Sequence, residues 1–590
     1  MSKALVVLYM APQMNLQTLF RGQAMLAIVF IAGCSASDPA LHADVAIHNV
    51  KIVDVADGQV ISDKAIVISD GMINDIVNED SLQLYAADKI IDGGGNYVIP
   101  ALADVHVHIQ SRSELQNFVL YGVGLVVNMS SGPQHLEMRE AVDSGELLGP
   151  RIILAGPTLD GDPPTNPLFT TINSDNAGEI IDWIYGQGYD AVKVYQQLDT
   201  DTLSIAILAA RERGLITTGH VSRDIGIEKA LNAGQRYIAH GEELAFESFE
   251  ESSRTYDLDT VSGLADRLSQ AGITLTPMVA YLKNISRQVG DIQAYLDSKE
   301  MRLVPAATRI SFDQRQGWFT NREDPAAFAS QITSLTDFVE TLTAALHERD
   351  VPLVLGTDAG FGGAIPGYGV HEELQTLVDA GLTEIAALRT ATLEVGEYLE
   401  QIDPSQAPWG LIKSGYTASI VLIGSNPIED ISATQDIRGA LIDGKWIAED
   451  ELMRLEDALA RSQKVMLPLA HAFEDAIVNG DLNAAIAAIE SIPAEMAGEP
   501  LISADNCVFL GYRHYYGGNR PLAGRLYELC ATMHSDSSPL WIHIAKALES
   551  EGKTEAALQA YRRALELNPW YGDPRSAINR LISDARQGDN

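Results

Sequence analysis

His106 and His108 close the run VIPALADVHVHI at 98–109. In an extended chain, side chains two apart point to the same side. Both imidazoles therefore face one way, and such a pair at a strand end suits a divalent transition metal. Four more residues of compatible chemistry follow short apolar runs: Lys193 in DAVKVY, His220 in TTGH, His240 in YIAHGEE and Asp358 in VLGTDAG. An ammonium group buried among histidines is costly. Lys193 makes chemical sense there if its amine carries CO2 as a carbamate, a bidentate anion able to bridge two cations.

The elements that must position these residues alternate along 99–404. Apolar runs at 123–128, 151–156, 190–195, 215–220, 236–240, 272–276 and 351–357 join the one before His106 as eight strand candidates. Helical stretches such as 201–213 and 224–233 lie between them. This is the α/β pattern of a (β/α)8 TIM barrel, whose chemistry sits at the C-terminal ends of its strands. All six residues would then meet at one mouth. Residues 278–350 read as a helical insertion over one mouth, and the glycine-rich stretch 359–369 as a mobile active-site loop. Residues 44–98 and 405–458 share a period-two alternation broken by Asp-Gly and Gly-Gly turns, and so predict a discontinuous small β-sandwich domain. From 459 to 590 the pattern is all-α.

At 590 residues the chain is long enough for several domains. Its net charge of −39 argues against nucleic acid and against an anionic membrane surface as partners. The three cysteines form no CxxC pair and no disulfide framework. Residues 24–33, AMLAIVFIAG, are too short to span a bilayer and end in small residues, as a secretory segment does. With Cys34 directly after it, this stretch resembles a bacterial lipoprotein signal. The resemblance implies a signal peptide over 1–33, lipidation of Cys34, and a tether over 34–43. Ser35, by the same resemblance, favours the outer membrane, on the periplasmic side. Membrane contact would come only through the lipid anchor.

The six chemical residues and their order resemble the binuclear, carboxylated-lysine subtype of the amidohydrolase superfamily, in its imidazolonepropionase-like and prolidase-like branch. The resemblance covers 44–450. It implies two divalent metal ions, zinc by default, the first on His106, His108, carboxylated Lys193 and Asp358, the second on Lys193, His220 and His240. It also implies a metal-bridging hydroxide that attacks an amide carbonyl, with Asp358 as base and then acid. Dipeptides or N-acyl amino acids are the first expected substrates; cyclic amides and lactones remain open. Tyr195, two past Lys193, could face the substrate. Arg223 could clamp a carboxylate. Glu242 and Glu243 could meet a substrate amine or orient an imidazole. The loops NMSSG at 128–132 and LDGDPPTNP at 159–167 depart from the family's usual pattern, so specificity does not carry over.

The segment 541–569 resembles a tetratricopeptide repeat, with Trp541, Ala545, Ala557, Tyr561, Ala564 and Pro569 at its packing positions. One repeat length earlier, Cys507 and Cys530 fall at packing positions, and a disulfide between them stays open. Such repeats imply a protein partner or self-association. A non-catalytic lipoprotein that uses its repeats to hold a partner is the alternative to an enzyme, and bound metal distinguishes the two.

Overall fold

The computed structural model describes residues 41–312, 323–403 and 405–588. The expected signal peptide, Cys34 and most of the tether lie outside the described residues, as does 313–322 of the expected insertion. No helix among the described residues is long and apolar enough to cross a membrane.

The protein is mixed α/β. Its two β-rich segments meet in one eight-stranded sheet. Strand Tyr97–Pro100 makes the join: it pairs in parallel with Leu41–Asp54 and antiparallel with Ile420–Ile423, placing Ile99 opposite Val421. The sequence pattern predicts two facing layers, whereas the hydrogen bonding runs unbroken through the sheet. One set of alternate residues, including Ile47, Ile66, Ile68, Ile420 and Leu441, forms its own buried cluster.

Tyr97–Pro100 leads directly into strand Leu102–Val107, the first of the parallel strands. Leu102–Val107, Val123–Asn128 and Arg151–Leu154 pair in that order. A single bridge from Ala155 to Ala191 connects them to a second parallel group. There Ala191–Val194, Ile216–Gly219, Tyr237–Ile238 and Thr274–Leu275 lie side by side. Parallel bridges join Leu275 to Leu353 and Val107 to Ala359. Except for Val123–Asn128, the strands are shorter than the apolar runs that predict them, and the run at 351–357 contributes only the bridge at Leu353.

The intervening helices form for local reasons. Asp199 caps Thr200–Glu212 by accepting from the Thr202 amide at 2.8 Å, a contact worth about 1 kcal/mol. Leu203, Ala206 and Ala210 give that helix one buried face. The next helix, Gly226–Ala233, stops at Gly234, whose left-handed backbone ends it. These two helices flank the strand that leads to His220.

The insertion braces the mouth. Glu373 accepts from the Val279 and Ala280 amides at the start of helix Val279–Leu296. From that helix Gln288 donates to the Gly362 carbonyl at 2.7 Å, and Tyr295 donates to Gly363. Residues 359–369 are almost wholly buried. The stretch read as a mobile loop is thus a packed corner.

The C-terminal region consists of consecutive, mutually packed helices from Glu449–Asn479 to Pro574–Gly588. The expected boundary at 458/459 falls within the unbroken helix Glu449–Asn479. Leu452 of this helix belongs to the core of the parallel strands, whereas Met466 and Phe473 belong to the core of the later helices. Cys507 and Cys530 are buried in that second core and are disulfide-bonded to each other. They fill packing positions and also cross-link two adjacent helices.

This helical region is seated on the strand-bearing part. Asn568 donates to the Thr170 hydroxyl at 3.2 Å, Tyr571 to the Pro167 carbonyl at 2.9 Å, and Ser113 to Glu499 at 2.8 Å. Beside this seam Glu114 is fully buried, accepting from Thr308 and the Gln110 amide. Burial, with Glu499 adding negative charge, pushes its carboxyl up to about 7 from 4.5. A raised folded-state pKa means the protonated form is favoured on folding. Its contribution to stability is complete below pH 4.5 and is lost as pH rises through 7. Glu114→Gln, which cannot ionise, should remove one share of that loss. Chemical denaturation across this pH range checks it: a flatter profile than wild type is expected, and an unchanged slope contradicts the assignment.

Candidate metal centre

The centre is built where strand Leu102–Val107 meets the segment 353–359. Asp104, fully buried, accepts from the His106 amide at 3.2 Å, the Thr357 amide at 3.0 Å and the Thr357 hydroxyl at 2.6 Å. Asp358 then donates its amide to the His106 carbonyl at 2.9 Å, and the His108 amide donates to Ala359 at 2.7 Å. Asp358 itself has φ +59°, a left-handed conformation that aspartate tolerates better than most residues. Gly356 makes the close approach possible: a Cβ there would lie 2.7 Å from Thr276 and 2.8 Å from the His106 Cβ.

These constraints bring the donor atoms of His106, His108 and Asp358 within 4.8 Å of one another. The Asp358 Oδ1 lies 3.0 Å from His108 Nε2 and 3.5 Å from His106 Nε2. Lys193 Nζ reaches to 3.4 Å from His106 Nε2. The other two histidines stand beside this group. The His240 ring is 4.7 Å from that of His106 and 4.2 Å from that of His220, centroid to centroid. All six residues singled out by chemistry therefore lie together. His108 is the most open of them, with 23% of its side chain exposed.

Lys193 and His220 reach this position from neighbouring strands whose backbones nearly touch. A Cβ on Gly219 would lie 2.1 Å from the Val194 carbonyl oxygen, and Gly219 has φ +135°, so glycine is required just before His220. His220 Nδ1 sits 2.8 Å from Glu243 Oε1, which also accepts from Gln196 at 2.6 Å. His240 Nδ1 is 2.9 Å from Glu242. Glu243 is thus turned onto an imidazole, with Arg223 3.5 Å away. The Arg223 guanidinium stacks over Phe246 at 3.8 Å and is half exposed. The Tyr195 ring lies 4.1 Å from that of His220 and 4.7 Å from that of Phe169.

Burial dominates the electrostatics. It holds His106 and His220 well below their ordinary pKa, helped by the Lys193 charge and the neighbouring rings, so both are neutral imidazoles with a free lone pair. It lowers Lys193 to about 8 and raises Glu243 to about 7. For Asp358 burial acts upward, but the His108 ring and the surrounding positive charge outweigh it and hold the carboxyl low. The buried His106 Nδ1 has no hydrogen-bond partner, while Asp358 Oδ1 faces the ring nitrogens of His106 and His108. Neutral imidazoles and an ionised carboxylate, with donor atoms converging within 4.8 Å, are a donor set that fits a divalent cation.

Asp104, Gln196 and Phe169 belong to this centre but were not singled out by sequence reasoning. Asp104 carries a signal in hindsight, being an acid inside an otherwise apolar strand. Gln196 follows the end of its strand, where alternation no longer tells which way a side chain points.

A family model described as the amidohydrolase family matches residues 97–447, more than half of the chain. A 71-residue stretch is 35% identical to adenine deaminase 2 of Shouchella clausii (strain KSM-K16), covering 12% of this chain and 12% of that relative's length. Two solved structures share the fold. A Xaa-Pro dipeptidase with bound methionine aligns over 68% of this chain and 99% of its own, at TM-score 0.52 and 21% identity. A bottromycin amidohydrolase aligns over 71% of this chain and 90% of its own, at TM-score 0.58 and 21% identity. With its ligand-type residues gathered at the ends of TIM-barrel-like strands, the chain belongs to the amidohydrolase family.

Proposed function

We propose that this protein is a binuclear, zinc-dependent amidohydrolase that cleaves amide bonds of small molecules, with dipeptides or N-acyl amino acids as substrates. The observation that carries this reading is the convergence of His106, His108, Lys193, His220, His240 and Asp358. The pairing of the parallel strands is read as a (β/α)8 barrel with this group at its mouth. His106, His108, Lys193 and Asp358 would hold one cation, and Lys193, His220 and His240 the other. Bound there, such a pair supplies Lewis acidity and an acidified water.

The chain's own residues do the rest. The Lys193 amine, lowered to about 8, is neutral more often at physiological pH than an ordinary lysine. A neutral amine is the form whose nitrogen bonds the carbon of CO2 and then loses a proton to become a carbamate. Asp358, ionised at neutral pH, accepts a proton from the attacking water at its carboxylate and returns it to the leaving nitrogen. Tyr195 keeps its phenolic proton because burial raises its pKa, so it donates to a substrate oxygen. Arg223, half exposed at the rim, is placed for a substrate carboxylate. The likeness to a Xaa-Pro dipeptidase favours a dipeptide over a cyclic amide or a lactone. The export signal, the anchor at Cys34 and a periplasmic, outer-membrane location complete the reading, with the tetratricopeptide-like helices available to a partner.

Lys193→Ala should lose most activity and most bound metal, and short carboxylic acids should restore part of both. Full activity in that variant contradicts the carbamate bridge. Glu243→Ala should weaken metal binding roughly 10–100-fold, because the carboxylate orients His220. Competition with a chelator measures this. Unchanged metal affinity with a raised KM would instead assign Glu243 to the substrate.

A further inference from the structure

A cleft of about 290 Å³ opens at His108, near the small end of ligand-pocket sizes. One wall comes from the strand-bearing part, including Ser131, His135 and Phe169. The opposite wall comes from the C-terminal helices and includes Met533, Asp536 and Tyr571. Tyr571 and Asn568 hold that wall in place through Pro167 and Thr170. The helical region is therefore part of the cleft that reaches the metal centre.

The charge of this cleft is lopsided. Glu137, Asp505 and Asp536 line it against one guanidinium, Arg112, which lies 3.9 Å from Glu146. Asp536 stands in the turn between helices Arg520–Ala531 and Ser538–Ser550. It is half-buried, and its carboxylate forms no hydrogen bond or ion pair with any described residue. Its charge reaches His135, which the charge of His108 also reaches, and His534. Neither histidine pairs with the Asp536 carboxylate. His135 is committed to the Ile109 carbonyl and the Gly132 amide, and His534 to the Ile502 carbonyl. A half-buried carboxylate without a partner gains most from a cationic donor.

We infer that the C-terminal helices form the specificity wall of the active-site cleft, and that Asp536 receives the free ammonium group of a small peptide whose scissile carbonyl lies at the His108 end. This rests on the hydrolase reading above and narrows it, selecting peptides with a free amine over N-acyl amino acids. Asp536 is a specificity residue and takes no part in bond breaking.

The test uses the full, zinc-loaded chain with alanyl-proline and N-acetyl-alanyl-proline. Asp536→Asn should raise KM for the free dipeptide about tenfold or more, with kcat and bound zinc unchanged and the acetylated compound unaffected. Asp536→Glu should keep the wild-type preference. Equal shifts for both compounds, no shift for either, or a wild-type preference for the acetylated compound overturns the inference. Calorimetric titration of alanyl-proline into the metal-free chain separates this inference from the hydrolase reading. Binding that depends on Asp536 in a protein that never hydrolyses the peptide would sink the hydrolase reading and leave the specificity wall standing. Binding indifferent to Asp536, with KM unchanged, would sink the wall alone.

Discussion

One buried carboxylate holds the centre together. Asp104 ties the strand that carries His106 and His108 to the loop that carries Asp358, through three hydrogen bonds to residues up to 253 positions away. An unbonded buried carboxylate is expensive. Satisfying it fixes the backbone of Thr357, and this delivers Asp358 in its left-handed conformation against the His106 carbonyl. The metal-facing geometry thus follows from a hydrogen-bonding requirement in the core beneath it.

Above that tie the side chains form a set that only a cation satisfies well. Burial keeps His106 and His220 neutral and lowers Lys193, while Asp358 stays ionised. Glu243 and Glu242 stand behind two of the imidazoles and fix how they turn. Positive charge placed among these groups would face imidazole lone pairs and the Asp358 carboxylate. The cleft beyond adds a second demand of the same sign, with Asp536 unpaired on the helical wall.

Much of this was legible in the sequence because strand ends carry both patterns at once. An apolar run of about five to seven residues announces a buried strand, and a polar residue at or near its C-terminal end announces the mouth. His106, His108, Lys193, His220 and His240 were found that way, and Asp358 by its place just beyond the last run. Asp104 was not, because within a strand nothing local tells a bonded acid from a misplaced one; its partner, Thr357, is 253 positions away in sequence. The single eight-stranded sheet was also hidden, since Tyr97–Pro100 pairs with strands on both sides and alternation gives no pairing partner. The cleft wall was invisible for the same reason: Asp536 sits in an ordinary turn, and only the docking of Tyr571 and Asn568 brings it over the mouth.

In the proposed function, six distant residues gather to hold two cations bridged by a modified lysine. A crystal structure of the zinc-loaded protein, with anomalous differences collected at the zinc edge, tests it most directly. Two anomalous peaks are expected, one among His106, His108 and Asp358 and one beside His220 and His240, with electron density continuous from Lys193 Nζ to both. A mouth without peaks, or a single peak with an unmodified Lys193, would contradict it.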